Sequence, residues 1–125
     1  MNKEERRKLA KNGESQAASY LISVGYEIIS KNYFSAYGEI DIIASKDKIL
    51  SFIEVKTRNK KNISFDQALN SVTRSKQKKI KNTADIFLSN YDHYSSYYTR
   101  FDVIILLFDY HSKEFDLKHL KDAFC

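Results

Sequence analysis

The sequence predicts an α/β fold in which a mixed central β-sheet is flanked by helices. Three observations lead there. Residues 3–24 carry small and apolar side chains at helical spacing. The stretch Gly38–Lys56 alternates with a period of two on either side of a polar turn. The run RFDVIILLF at Arg100–Phe108 is continuously apolar and of strand length, so it wants both faces covered. Helical segments lie between the alternating stretch and the apolar run, and a crossover of that kind permits the strands it joins to be parallel. The resulting order is α-β-β-β-α-α-β-β.

The first helix is expected from about Lys3 to Val24. At roughly 100° per residue, Ala10, Glu14, Ala17, Ala18 and Leu21 fall along one stripe. Glu14 thus lies in the apolar face, as a residue at its margin, a buried ion-pair partner, or a group aimed past the core. Gly25 fits the position after the helix, where a left-handed backbone suits a residue without Cβ. Tyr26–Asn32 reads as the first strand. Tyr33–Tyr37 reads as a loop whose aromatics pack on the sheet edge by default, with stacking on bases as the alternative. Gly38 opens the second strand, where a missing side chain admits another backbone or a ligand.

Charge stands in the next two strands where apolar side chains are usual. In Gly38–Ala44, Ile40, Ile42 and Ala44 share one face and Glu39, Asp41 and Ile43 the other. In Leu50–Lys56, Ile53 and Val55 oppose Phe52, Glu54 and Lys56. Pairing through a turn at Ser45–Lys48 with the acid faces aligned brings Asp41, Glu54 and Lys56 together. Two carboxylates held close repel, and each loses water on burial. A divalent cation removes both problems, and hard carboxylate oxygens suit Mg²⁺ or Mn²⁺. A lysine beside such an ion can stabilise negative charge developing on a phosphate, which is the chemistry of phosphodiester hydrolysis.

These residues also resemble a known arrangement. Asp41 followed by Glu54-Val55-Lys56 after a hydrophobic strand is similar to the PD-(D/E)xK nuclease core, although Ile40 stands where that name has proline. Proline contributes no ligand. More narrowly, GEIDIIA, FIEVKTR, SVTRSKQKKI and RFDVI in this order resemble the bacterial YraN-like family, related to archaeal Holliday-junction resolvases. The resemblance runs from about Gly13 to Phe124. It implies a restriction-endonuclease-like fold, catalysis by Asp41, Glu54, Lys56 and Glu14, and a metal held by Asp41, Glu54 and Glu14. The Glu14 assignment rests on the GE-x-x-A pattern at Gly13–Ala17, which resembles the helix-borne Glu of resolvase-type members. Glu39 and Gln67 are secondary site candidates.

After Arg58, Asn59–Ser64 reads as a polar loop. Ser64 caps a short helix to about Ser71, and Thr73 caps a longer one to about Leu88 with Ile80, Ala84 and Phe87 as its core stripe. Gln67 either bonds near the acids or is a surface side chain. Lys76 lies one turn before Ile80, where it either meets a phosphate or merely snorkels over the core. The tyrosine-dense stretch Asn90–Tyr98 is read as loop packing or plain surface, with stacking on unpaired bases as a minor alternative. Asp102 is expected to pair with Arg100 or a helix terminus. The turn Asp109–Lys113 leads to a short strand, Glu114–Leu117, and His119–Cys125 is expected as a final turn of helix.

The 125 residues are one domain's worth, and 42% hydrophobic content suits a folded chain. No apolar run approaches the roughly 18–20 residues needed to span a bilayer. The basic start MNKEERRKLAKNGE lacks a signal-peptide core, so a cytoplasmic protein without a membrane partner is expected. Cys125 is the one cysteine, and His93, His111 and His119 form no ligand-like cluster. A net charge of +5 suits a phosphate-bearing partner. Arg58, Arg74 and Lys76, within the basic span that follows the acids, are the candidate contacts to DNA. The expected function is metal-dependent hydrolysis of DNA, on branched or flap structures. A non-catalytic nucleic-acid-binding domain on the same fold is the alternative, and a protein-interaction module using the tyrosines is the third. A homodimer is compatible with the sequence.

Overall fold

In the computed structural model, which describes residues 1–125, α1 spans Lys3–Ser23 and starts at Asn2. The Asn2 side-chain oxygen accepts the N–H of Glu5 at 2.8 Å, satisfying one of the helix's unpaired amides. The helix stops at Val24 because Gly25 takes φ +98°, a region costly for residues with Cβ. Its buried stripe is Leu9, Gly13, Ala17, Ala18 and Leu21. Ala10, expected in that stripe, is exposed, because Leu9 is the larger apolar side chain and takes the core position.

Five strands follow: β1 (Glu27–Phe34), β2 (Glu39–Lys46), β3 (Ile49–Asn59), β4 (Tyr98–Asp109) and β5 (Glu114–Phe124). They form one sheet in the order β1-β2-β3-β4-β5, and β3 and β4 alone are parallel neighbours. The crossover between those two contains α2 (Phe65–Asn70) and α3 (Arg74–Asn90), capped by Ser64 and Thr73 as the sequence predicts. The result is the mixed sheet flanked by helices expected of a restriction-endonuclease-like core.

Helices cover both faces. On one, Ala17, Ala18 and Leu21 of α1 pack on Ile42, Ala44, Ile53, Ile104 and Leu106. On the other, Ile80, Ala84 and Phe87 of α3 pack on Ile43, Leu50 and Phe52, and Ala68 with Val72 packs on Val103, Ile105 and Leu107. Successive β4 residues therefore face opposite layers, which explains why this strand is apolar throughout.

The β2–β3 turn is Asp47-Lys48, both with positive φ (+52° and +64°), the hand that matches hairpin twist. From there the strands pair as far as Ile42 opposite Ile53 and then part. The parting overturns one expectation. Ile40, assigned by simple alternation to the face of Ile42 and Ala44, packs instead with Ile43 and Phe52 in the α3 layer. β2 leaves β3 there but stays paired with β1, where Ile40 stands opposite Tyr33, and both side chains lie in the layer of Phe87.

Two further expectations are corrected. β1 continues through Phe34, so the connecting loop is shorter than Tyr33–Tyr37. Its aromatics divide: Tyr33 packs edge-on against Phe87, while Phe34 and Tyr37 are 70% and 55% exposed. The tail, expected as helix, extends β5 to Phe124. Phe115 and Leu117 face α1, and Leu120, still in regular register opposite Val103, faces the other layers by ordinary alternation; the irregularity comes after it, between Phe101 and Val103 of β4, with Asp122 at φ +54° before Phe124. Apolar residues thus fall on both faces of β5, and no simple period of two stands out in the sequence.

Asp102 is fully buried, and its carboxylate accepts four hydrogen bonds. Arg100 gives two at 2.8 and 2.9 Å, His119 one at 2.8 Å, and the N–H of Asp122 one at 3.0 Å. With Nε2 of His119 donating, its Nδ1 is left to accept from Tyr20 of α1 at 2.9 Å. Desolvation tends to raise the Asp102 pKa, but these donors outweigh it and hold the carboxyl below its usual range. The network ties α1 to β4 and β5. The tyrosine-dense stretch divides: Tyr91 and Tyr94 lie against Phe87 and Tyr94 against Tyr97, while Tyr98 is largely exposed.

Candidate active site

The acids gather where β2 and β3 part. Extending the register one step beyond Ile42–Ile53 sets Asp41 opposite Glu54, and the two carboxyls lie within hydrogen-bonding reach. Asp41 does more than face its neighbour: its Oδ2 accepts the backbone N–H of Val55 at 2.8 Å. That amide lies beyond the last β2–β3 pair, so a side chain replaces the strand that has departed.

The electrostatics of the pair follow from burial. Desolvation first, then the hydrogen bond and charge of Glu54, push the Asp41 carboxyl up from 3.8 to about 8. The Val55 amide and the Lys56 ammonium oppose the shift without cancelling it. Lys56 is 5% exposed, a rare condition for lysine. Burial, the adjacent Lys76 and the charge of Arg58 push it down from 10.5 to about 8, against the pull of Glu54. A half-buried acid couple and a buried lysine share one spot, each disfavouring the other's neutral form less than burial disfavours its charge.

Glu14 stands on the margin of the α1 stripe, half-buried, where the charge of Asp41 reaches it and Asn32 of β1 hydrogen-bonds its carboxylate. Burial and Asp41 together raise its pKa. Glu39 is exposed at the start of β2 and is raised by burial, then by Asp41 and Glu14. Three acids thus surround Asp41, but they do not converge on one point. No three Asp, Glu, His or Cys side chains form a single ligand set.

Among the basic candidates, Lys76 of α3 reaches Lys56, and the charge of Arg58 acts on Lys56 as well. Arg58 donates to the carbonyl of Thr57 at 2.9 Å. Arg74 is exposed at the first position of α3. Gln67 is engaged elsewhere: its side-chain oxygen accepts the Ser64 N–H at 2.9 Å and completes the α2 capping box. Of the two readings open for Gln67, the exposed surface side chain is the one found. A cavity of about 540 Å³ between α1 and the end of β3 takes in Thr57 and Arg58 but none of Asp41, Glu54 or Lys56.

Residues outside the candidate set position this site. Gly13 has the clearest role, since a Cβ there would fall 2.0 Å from Oγ1 of Thr57. Helix α1 therefore lies directly on β3 beside Lys56, and Glu14 is the next residue. A glycine inside a helix costs about 1 kcal/mol relative to alanine, and that cost was the available signal. Asn32, with φ +53°, left no comparable trace in the pattern.

A family model described as "Uncharacterised protein family UPF0102" matches residues 13–106. A UPF0102 protein of Clostridium perfringens (strain 13 / Type A) is 48% identical over 112 residues, covering 90% of this chain and 89% of its own. One from Prosthecochloris aestuarii is 42% identical over 120 residues, with 93% and 92% covered. One from Acinetobacter baumannii (strain AYE) is 39% identical over 121 residues, with 89% and 90% covered.

Proposed function

The chain belongs to the UPF0102 family, and from the site just described we propose that it is a metal-dependent endonuclease hydrolysing DNA phosphodiester bonds, with branched or flap structures as substrate. We further propose that it belongs to the PD-(D/E)xK superfamily and is related to archaeal Holliday-junction resolvases. One observation carries the reading: the Asp41 carboxyl is held against Glu54 and the Val55 N–H with Lys56 buried alongside. Folding alone has little use for two carboxyls in hydrogen-bonding reach, because without a cation they sit together only if one keeps its proton far above the ordinary carboxyl range.

The donor set fits Mg²⁺ or Mn²⁺. Mg²⁺ is usually held by only one or two protein carboxylates, so Asp41 and Glu54 suffice and Glu14 supports them from α1. When bound, the ion supplies Lewis-acid neutralisation of phosphate charge and activation of water. The chain's own residues do the rest. Lys56 meets the negative charge that develops on the phosphate during displacement. Its small exposure keeps that charge poorly screened and therefore strong. Lys76, Arg58 and Arg74 bind flanking phosphates and set the register of the duplex. An acid site outside the nearby cavity suits a polymer whose backbone lies across a surface.

The test is cleavage of duplex, single-stranded, flap and four-way-junction DNA with Mg²⁺ or Mn²⁺ by wild type, Asp41→Asn and Lys56→Ala. Cleavage by wild type alone supports the proposal. No cleavage of any substrate, with DNA binding retained, would replace it by the non-catalytic binding domain. Equal cleavage by all three proteins would identify a contaminant.

A further inference from the structure

The β1–β2 hairpin ends in Phe34-Ser35-Ala36-Tyr37-Gly38, and both aromatics stand in solvent, 70% and 55% exposed. The turn that carries them is fixed by hydrogen bonds. Ser35 donates its N–H to the Gly38 carbonyl at 2.8 Å, and its Oγ accepts the Tyr37 N–H at 3.0 Å. The same Oγ is 2.8 Å from Oγ1 of Thr83, a fully buried residue of α3. Gly38 closes the turn at φ +156°. The tip is anchored to the core through Ser35, and Phe34 and Tyr37 project from either side of the anchor.

The tip also lies next to the acids. Phe34 is the cross-strand partner of Glu39, and Glu39 precedes Asp41 by two residues, about 7 Å along a strand. The exposed Lys79 borders it, with its Cβ 3.5 Å from where a Gly38 Cβ would stand. The surroundings are mixed in charge, with Glu39 opposite Phe34 and Asp85 beside Tyr37, so it is the aromatic faces that suit nucleic acid, whose bases can stack on them while Lys79 takes a phosphate.

We propose that Phe34 and Tyr37 form a stacking wedge that receives unpaired bases at a DNA branch point, beside the phosphate that Asp41 and Glu54 address. The wedge rests on the DNA-cleaving function proposed above and names what selects its substrate. In continuous duplex the bases are stacked on one another and offer these rings no free face. At a branch, unstacked bases are already available, so no unstacking cost opposes the contact.

The experiment uses Asp41→Asn protein in metal-free buffer, so that DNA stays intact. The probes are a four-way junction carrying 2-aminopurine unpaired at the branch and a duplex carrying it paired. The expected result is a fluorescence change on the junction only. Adding Phe34→Ala and Tyr37→Ala should abolish it and lower junction affinity about tenfold or more, as loss of base stacking does, with a smaller loss on duplex. The exchange Phe34→Tyr with Tyr37→Phe should preserve both signals. No fluorescence change, or equal loss on duplex and junction, overturns the wedge. So does a dimer in sedimentation that the alanine pair converts to monomer. The wedge can fail while wild type still cleaves DNA. Conversely, an aminopurine signal without cleavage by wild type supports the wedge and overturns only the nuclease assignment.

Discussion

Oδ2 of Asp41 accepts the backbone N–H of Val55 at 2.8 Å, two residues past Ile53, the last β3 residue paired with β2. A carboxylate thus completes the hydrogen bonding of the strand that carries Glu54 and Lys56. The fork between the strands and the placement of the acids have one cause.

Stability of the metal-free protein should depend on this acid. Its carboxyl holds a proton up to about pH 8 when folded, against an ordinary value of 3.8, so the folded state binds that proton more tightly. Stability is then greatest below the ordinary value and falls as pH rises from about 4 towards 8. Lys56, lowered to about 8 from 10.5, acts in the opposite direction above that range, where the unfolded chain holds its proton longer. Urea titrations in chelator should give Asp41→Asn a flatter profile than wild type between about pH 5 and 8, by on the order of 2 kcal/mol. Identical slopes would contradict the buried, protonated acid.

Mg²⁺ at about pH 8 should raise wild-type stability, since an ion bound only by the folded state contributes about 2.7 kcal/mol at a hundredfold excess over its Kd. Asp41→Asn should lose that gain. Calorimetric titration with the ion alone gives an independent reading, and undiminished affinity in the variant would place the ion elsewhere.

Lys56→Ala should separate binding from rate. Metal affinity should persist while cleavage slows about 10²–10³-fold, the usual loss for a group that stabilises developing charge. A changed metal affinity at unchanged rate would assign Lys56 to tuning of the acids instead.

Phosphate contacts are best measured by salt. Arg58→Ala with Lys76→Ala should weaken binding to all sequences and reduce the slope of log K against log salt by roughly 2, about 0.9 for each contact. An unaltered slope would move the DNA path off this face.

Gly13→Ala tests how α1 is seated. The added methyl meets Thr57, so helix and strand must separate, at a cost of about 1–3 kcal/mol. Thermal denaturation reads the cost, and Thr57→Ser in the same chain should recover part of it by removing the methyl 2.7 Å from the new Cβ. No recovery would trace the loss to another contact.

Much of this protein was legible in its residues. Periodicity and turn signals located the helices and all five strands in outline, the last cut short at Leu117, because a buried face imposes its repeat on any element that packs against a core. The caps at Ser64 and Thr73 were legible because they are local chemistry. Asp41, Glu54 and Lys56 could be brought together from alternation and a short hairpin alone, since register follows from the turn and the buried face. Tertiary structure decided the rest. The turn of Ile40 into the α3 layer, the extension of β5 beyond Leu117 and the exposure of Phe34 and Tyr37 are all settled by contacts between elements distant in the sequence. Gln67 was equally suited to a cap or a site, and only the path of α2 assigned its oxygen to Ser64. Likewise nothing near Gly13 in the chain announces Thr57, which lies far along the sequence. Contacts of that kind are made by packing, and a linear pattern carries no record of them until the layers are assembled.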